Sequence, residues 1–521
     1  MPALTALGDG TGGTHNAGFT PGDLDTSGQI AAVSAYQKLY ICDGRPYSAT
    51  LADSGYHKID FLNDRLVGTA SGAFSKGDVL TQENTEATGI FDETVENAGV
   101  GGDETWHLVY RTTTVPFNTT DEISSDGDPA ITLTPDEVIY PPHWLNWTLT
   151  PDKGEFPEGG SDVMALAFGR IFINAKAHPH QWFATRINDP LDLLLVGDDV
   201  ASAANSQSAE KAGLVGDTLV AIIPHKDIFT VFGCVNGMYV LRGDPAKNGF
   251  FSKLADNTGI FSNTSYCWDD RYNLYFIGND GLYSVSYDAL LSGQSATNLT
   301  KEHLPKLVSS MGLNRGTDRV TMVYDKNRYG IQVTASQRDG EWHAAFWIDL
   351  RTGGVFPEEY TGGQIPSSSY YFDARRSDQR TCLVGCYDGY VRKWDETVKS
   401  DIDDADASVA IDAYAVIGPV SSQNTRSKLK LNELSVRTGI DSDRLTISLY
   451  AAQTAAALIT DIKNGVTPKT SKTFIVDKLL ASLRQKLLAG SIAIKLSNNT
   501  VDSSFNIEKI DADISEIGRI K

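Results

Sequence analysis

The side chains best suited to chemistry stand in short clusters, and each cluster lacks a part its chemistry needs. His178-Pro179-His180 puts two imidazoles one residue apart. A zinc site needs three or four ligands, and neither an HExxH pair nor a third ligand is nearby, so the pair reads as histidines at a loop tip. Asp401, Asp403, Asp404 and Asp406 offer the oxygens that calcium prefers. They lack the turn glycine and distal bidentate glutamate of an EF-type loop and read as an acidic linker. Gly8-Asp9-Gly10-Thr11-Gly12-Gly13 has the glycines of a phosphate cradle but no preceding strand and no P-loop lysine, which leaves an N-terminal arm.

Nucleophilic and acid–base chemistry fare no better. Ser336-Gln337-Arg338-Asp339-Gly340-Glu341-Trp342 approaches the Ser-x-Asp-x-Gly-x-x-Trp box of some propeller enzymes with the wrong spacing, and a hairpin explains it more simply. No Gly-x-Ser-x-Gly elbow is present, and the carboxylates are too evenly spread to single out a catalytic pair. Cys382 and Cys386 share one face of a strand without a second pair to complete a zinc site, and read as buried small hydrophobes. Trp182, Trp268, Trp342, Trp347 and Trp394 suit a glycan site, but alternating aromatics more often pack between sheets. The expectation is a chain without catalytic, cofactor-binding or metal-ligating residues, without a cofactor, and not an enzyme.

The elements that position these residues follow from length and pattern. At 521 residues the chain exceeds one compact core. Its 66 Asp and Glu against 45 Lys and Arg give a net charge of −21, which excludes a basic nucleic-acid grip or a polybasic membrane anchor as the chain-wide theme. The N-terminus has neither the basic start nor the apolar run of a secretory signal. No apolar stretch reaches the length of a membrane-spanning helix. Five scattered cysteines read as thiols kept in a reducing cytosol.

Short β-branched and aromatic runs dominate, punctuated by Asp-Gly or Asn-Gly at 43–44, 236–237, 280–281, 339–340 and 388–389. From Gly237 the glycines follow at intervals of 44, 59 and 49 residues, the length of a four-stranded propeller blade. A further unit fits at Arg170–Asn174 and Gln181–Thr185. The expected fold is all-β: a β-propeller of about six blades with an inserted small β-barrel and a C-terminal β-sandwich-like region. A tandem of β-sandwiches is the alternative. Residues 1–27 form an arm, 28–73 and 138–398 the propeller, 74–137 the insert and 399–521 the C-terminal domain. Acids outnumber bases in the insert by 14 to one over residues 77–137, an acidic surface suited to a basic partner. Residues 478–488 have the apolar spacing of an amphipathic helix, or of a strand pair if context overrides propensity.

The succession of phrases is similar to the tail hub or nozzle (tail tube) proteins of short-tailed bacteriophages. Gly169-Arg170-Ile171-Phe172-Ile173 leads to Trp182 and Asn188-Asp189-Pro190. Phe229-Thr230-Val231-Phe232-Gly233 precedes Gly237-Met238-Tyr239-Val240-Leu241-Arg242-Gly243. Phe276-Ile277-Gly278-Asn279-Asp280-Gly281-Leu282-Tyr283, Asp388-Gly389-Tyr390-Val391-Arg392-Lys393-Trp394-Asp395 and the closing Gly518-Arg519 complete the series. It covers residues 160–521, and the insert resembles small barrel modules of other phage tail proteins.

The resemblance implies a structural virion protein, assembled in the host bacterial cytoplasm as a ring homo-oligomer, a hexamer by expectation. Such a ring continues the DNA channel below the portal and adaptor, contacts the adaptor, and anchors tail fibres or spikes. An acidic lumen would let double-stranded DNA pass during genome ejection without specific binding. The alternative is a carbohydrate-binding or carbohydrate-cleaving β-propeller.

Overall fold

A computed structural model of the chain describes residues 23–97, 104–127, 130–195, 199–206, 215–294, 296–302, 304–340, 343–360, 364–394, 398–402, 408–422, 427–475 and 480–519. The chain divides into two compact units, Met1–Lys393 and Trp394–Lys521.

In the first unit, runs of alternating apolar residues fold into successive antiparallel meanders. The first sheet is Ala31–Ala35, Lys38–Cys42, Tyr56–Asp60 and His143–Asn146; the second is Met164–Ala167, Arg170–Asn174, Trp182–Ala184 and Asn205–Ser206. The third comprises Leu219–His225, Phe229–Cys234, Gly237–Arg242 and Phe250–Asp256. The fourth comprises Tyr266–Trp268, Leu274–Ile277, Leu282–Val285 and Thr297–Asn298. The fifth is Asp318–Asp325, Gly330–Gln337, His343–Asp349 and Val355–Glu358, and the sixth has three strands, Pro366–Phe372, Thr381–Cys386 and Val391–Lys393.

Neighbouring sheets share their cores. Phe172 and Trp182 of the second sheet meet Phe232 and Phe251 of the third, with Trp182 fully buried 5.6 Å from Phe232 and 5.8 Å from Phe251. Phe229 and Val231 share a core with Phe276 and Val285, and Ile277 and Leu282 share one with Val320 and Ile331. Aromatic side chains supply the large apolar area such face-to-face packing needs. Four-stranded meanders packed on one another in sequence order make the unit a β-propeller.

The Asn236-Gly237, Asp280-Gly281, Asp339-Gly340 and Asp388-Gly389 pairs fall at one place, between the second and third strands of successive sheets. Gly340 and Gly389 use the left-handed backbone that favours glycine, at φ +78° and +85°, whereas Gly237 and Gly281 do not. Asp43-Gly44 ends the second strand of the first sheet but opens a long connection to Tyr56, not a tight hairpin.

Between the third and fourth strands of the first sheet the chain leaves to form a seven-stranded antiparallel sheet. Its spatial order is Glu137–Ile139, Asp64–Val67, Glu104–Arg111, Thr88–Asn97, Val79–Gln82, Ile123–Ser125 and Thr132–Leu133. Leu66, Phe74, Leu80, Phe91, Val109, Phe117 and Ile123 form its own buried core. The sheet takes in strands on both sides of residues 74–137, because Asp64–Val67 pairs with Glu104–Arg111 and with Glu137–Ile139.

In the second unit, a sheet ordered Ala413–Ser421, Ser491–Asn498, Arg444–Ala452 and Thr470–Ile475 shares a core with Leu480–Ala489, Ser427–Thr438 and Ile507–Arg519. Residues 480–489 form one strand, not the helix that their spacing favours. Backbone pairing with Ser427–Thr438 along its length, and burial of Ala481, Leu483 and Ala489, override the helical propensity. The helix of this unit is Ala455–Lys463, capped by the Thr454 hydroxyl accepting from the Ala457 N–H at 3.2 Å. No helix among the described residues is long and apolar enough to cross a membrane.

Candidate functional site

The first strands, or the turns entering them, of the six sheets described above line one cavity of about 730 Å³. Ala32, Val163, Leu219, Thr264, Asp318 and Ser368 each come from a different sheet or its entry. The walls are partly apolar, with Ile30, Leu219, Val220 and Phe261, and the charged groups are Asp162, Lys176, Asp318, Arg315, Arg319 and Arg338. Bases therefore outnumber acids four to two.

The cations differ in what they hold. Arg315 donates to the Ile260 and Phe261 carbonyls and, at 2.8 Å, to Asn279 Oδ1, so it fastens the entry to the fourth sheet. Lys176 Nζ donates to the Gly44 carbonyl at 2.8 Å. Arg338 Nη1 donates to the Ser27 carbonyl at 2.7 Å, tying the fifth sheet to the segment that enters the first. Its Nε is buried without a hydrogen-bond partner, as is Nε2 of Gln29. The Arg319 side chain makes no hydrogen bond or ion pair to a described residue, although its backbone pairs with Ser336 in the sheet. Burial pushes its guanidinium below the ordinary pKa; the adjacent Tyr387 opposes that push, and the like charge of Arg338 adds to it.

The two acids of the cavity are already engaged. Asp162 Oδ1 accepts from Asn174 Nδ2 at 2.8 Å, and Asp318 accepts from the Asn314 N–H at 2.8 Å and from the Thr317 hydroxyl at 2.8 Å.

A second charged cluster joins the insert to the first sheet. Lys38 Nζ lies 2.6 Å from Asp92 Oδ2 and 2.7 Å from Glu93 Oε1, and Lys58 Nζ lies 2.8 and 2.7 Å from the two Glu93 oxygens. Asn63 Nδ2 bridges Asp60 and Asp92 at 2.8 and 3.0 Å. Asp60, Asp92 and Glu93 present oxygens close enough together to hold a metal ion. Two ammoniums already lie among those oxygens, so the cluster is an ion-pair network by its own chemistry. Burial opposes the Lys38 charge, yet Glu93, Asp60 and Asp92 hold its pKa above the ordinary value. Burial likewise opposes ionisation of Asp92, but Lys38 and Lys76 bring its pKa down to about 2.

The sequence candidates fall elsewhere. His178 and His180 are exposed in the loop between the second and third strands of the second sheet, and His178 Nε2 lies 3.4 Å from Glu158. Cys382 and Cys386 are buried and free on one face of Thr381–Cys386, as are Cys42, Cys234 and Cys267 in their own strands. Trp182 packs between sheets; Trp347 lies under the Arg328 guanidinium at 3.9 Å; Trp268 sits 5.0 Å from His225. None of these tryptophans lines the cavity. Asp401 lies on Ser400–Ile402. Asp403, Asp404, Asp406, Trp342 and the glycines at 8–13 lie outside the described residues.

Arg170, singled out by the Gly-Arg phrase, is fully buried as a structural clamp. Its guanidinium donates to the Thr185 carbonyl at 2.9 Å and the Ala203 carbonyl at 2.6 Å, and its Nε pairs with Asp244 at 3.1 Å, linking the second sheet to the turn after the third strand of the third. The cavity arginines and the Lys38–Lys58 network went unread in the sequence. Two lysines on inward-facing positions of adjacent strands were the available signal for the network.

No protein-family model and no curated protein matches the chain. The solved structures it resembles include β-propeller proteins: Hsv2 of Kluyveromyces lactis, at 10% identity over 65% of this chain and 96% of that one, with a TM-score of 0.25; and a putative 6-phosphogluconolactonase of Bacteroides fragilis, at 12% identity over 66% and 92%, with a TM-score of 0.29. The extracellular domain of a putative one component system of B. thetaiotaomicron matches at 9% identity over 91% and 62%, with a TM-score of 0.30. Likenesses this weak carry no argument about function.

Proposed function

We propose that the chain is a structural assembly protein: a six-bladed propeller with an inserted barrel-like module and a C-terminal β-sandwich, forming a ring as the tail hub or nozzle of a short-tailed phage. In this reading the propeller sheets are scaffold, the insert presents a surface, and the C-terminal unit makes subunit contacts. The DNA conduit lies between subunits, since the propeller's own cavity of about 730 Å³ is far too small to pass a duplex, and Arg315 and Arg338 in its lining bond to neighbouring backbone carbonyls. The adaptor and the fibres or spikes are its partners, and duplex DNA passes without being held.

One observation carries this reading. Ala413–Ser421 is an edge strand of its sheet with all nine residues exposed, and Tyr414, Val416, Ile417 and Val420 are among them. An unpaired edge rich in apolar side chains is a liability in a free monomer and an asset in an assembly. The acids Glu83, Glu86, Glu122, Asp126, Asp136 and Glu137 remain exposed on the insert, a field suited to a basic partner or to repelling phosphates.

Mass photometry and negative-stain class averages of the purified chain over a concentration series test the reading. A closed ring with a central hole is the expected outcome, and Val416→Asp with Ile417→Asp should abolish it while leaving the unfolding midpoint unchanged. A monomer at every concentration, alone and with particles lacking the chain, would reject it.

A further inference from the structure

The central cavity has the size of a small-molecule site, about 730 Å³ against the roughly 300–1,000 Å³ usual for ligand pockets. Its unmet chemistry is one-sided. Arg338 Nε and Gln29 Nε2 are buried donors without acceptors, and Arg319 faces no described carboxylate. Buried donors left unpaired cost free energy that an acceptor recovers. Asp162 and Asp318, the acids in the wall, accept bonds from uncharged neighbours and form no ion pair with the wall's cations among the described residues, and the four cations outnumber them. Three sheets converge here. Gln29 precedes the first, Arg319 and Arg338 belong to the fifth and its turn, and Ser367 and Ser368 begin the sixth. Leu219, Val220 and Phe261 on other walls offer an apolar surface to the body of a molecule whose charged end sits at the arginines.

We propose that this cavity binds a small organic oxyanion, a phosphate ester or a carboxylate, through Arg319, Arg338 Nε and Gln29 Nε2. The site lies within one chain and does not depend on ring assembly, so the two proposals stand or fall separately.

The test is isothermal titration of the full chain with inorganic phosphate, with citrate, and with glucose as an uncharged control. One phosphate or citrate per chain is expected, with no heat from glucose, and the stronger of the two anions identifies the headgroup. Arg319→Gln should weaken binding about ten-fold or more, the scale of losing a charge-assisted bond. Arg376→Gln, at an exposed arginine paired with Asp378, should leave it unchanged. If Arg319→Gln does not fold, Arg319→Lys keeps the charge but loses the planar fork, and should weaken binding by a smaller factor. Silence with both anions at millimolar concentration, or equal losses in the Arg319 and Arg376 variants, would overturn the proposal.

Discussion

The insert anchor and the central cavity both place charge out of water within the propeller unit, and they resolve it in opposite ways. At the anchor, Lys38 and Lys58 meet Asp60, Asp92 and Glu93 at 2.6–3.4 Å, Asn63 donates to Asp60 and Asp92, and Lys76 pairs with Asp92. In the cavity, guanidinium groups converge on one another while the nearby acids are engaged elsewhere. Buried charge that is fully paired fixes one geometry, because breaking any member strands the others. Buried charge without a partner does not hold the fold together and is available to a ligand. Arg315, Arg338 and Lys176 still bond to their surroundings, so the anchor belongs to structure and the Arg319 corner of the cavity to recognition.

Substitution at the anchor should produce the largest effect. Glu93→Ala leaves both lysines without their shared partner, and the loss of stability should be about 3–5 kcal/mol in denaturant unfolding. Hydrogen exchange should localise the loosening to residues 64–139 and the first sheet. Acid is the milder way to break the same contact. The Asp92 pKa in the folded chain, about 2, lies below its unfolded value, so its contribution is full above about pH 4 and disappears as pH falls toward 2, a loss of about 2 kcal/mol. Protease sensitivity of the insert should rise in that window, and Asp92→Asn should flatten the pH dependence. The cavity should behave otherwise. Arg319→Gln removes a charge that burial and Arg338 both disfavour, so stability should change by less than about 0.5 kcal/mol or rise slightly. A loss of several kcal/mol there would erase the contrast.

Much of the propeller was legible because its signals are local. The turn pairs at 236–237, 280–281, 339–340 and 388–389 recur between the same two strands of successive sheets, and the alternating runs around them are the strands. Two of those glycines do not use the left-handed backbone, so the recurrence was informative even where its stated physical reason did not apply. The strand at 480–489 defeated a local reading because its partner, Ser427–Thr438, lies about 50 residues earlier in the chain. The cavity was illegible for the same reason on a larger scale. Gln29 and Arg319 are nearly 300 residues apart, and only closure of the ring of sheets brings them to one wall. Asp92 and Glu93 counted in the sequence as part of a loose acidic surface, whereas Lys38 and Lys58 neutralise them.

A reconstruction of the assembled particle that carries this chain tests the central proposal most directly. The expected result is a symmetric ring of copies around the DNA channel below the adaptor, with the 413–421 strand buried between neighbouring subunits. Density for the chain only on peripheral fibres, or a ring in which that strand remains open to solvent, would contradict it.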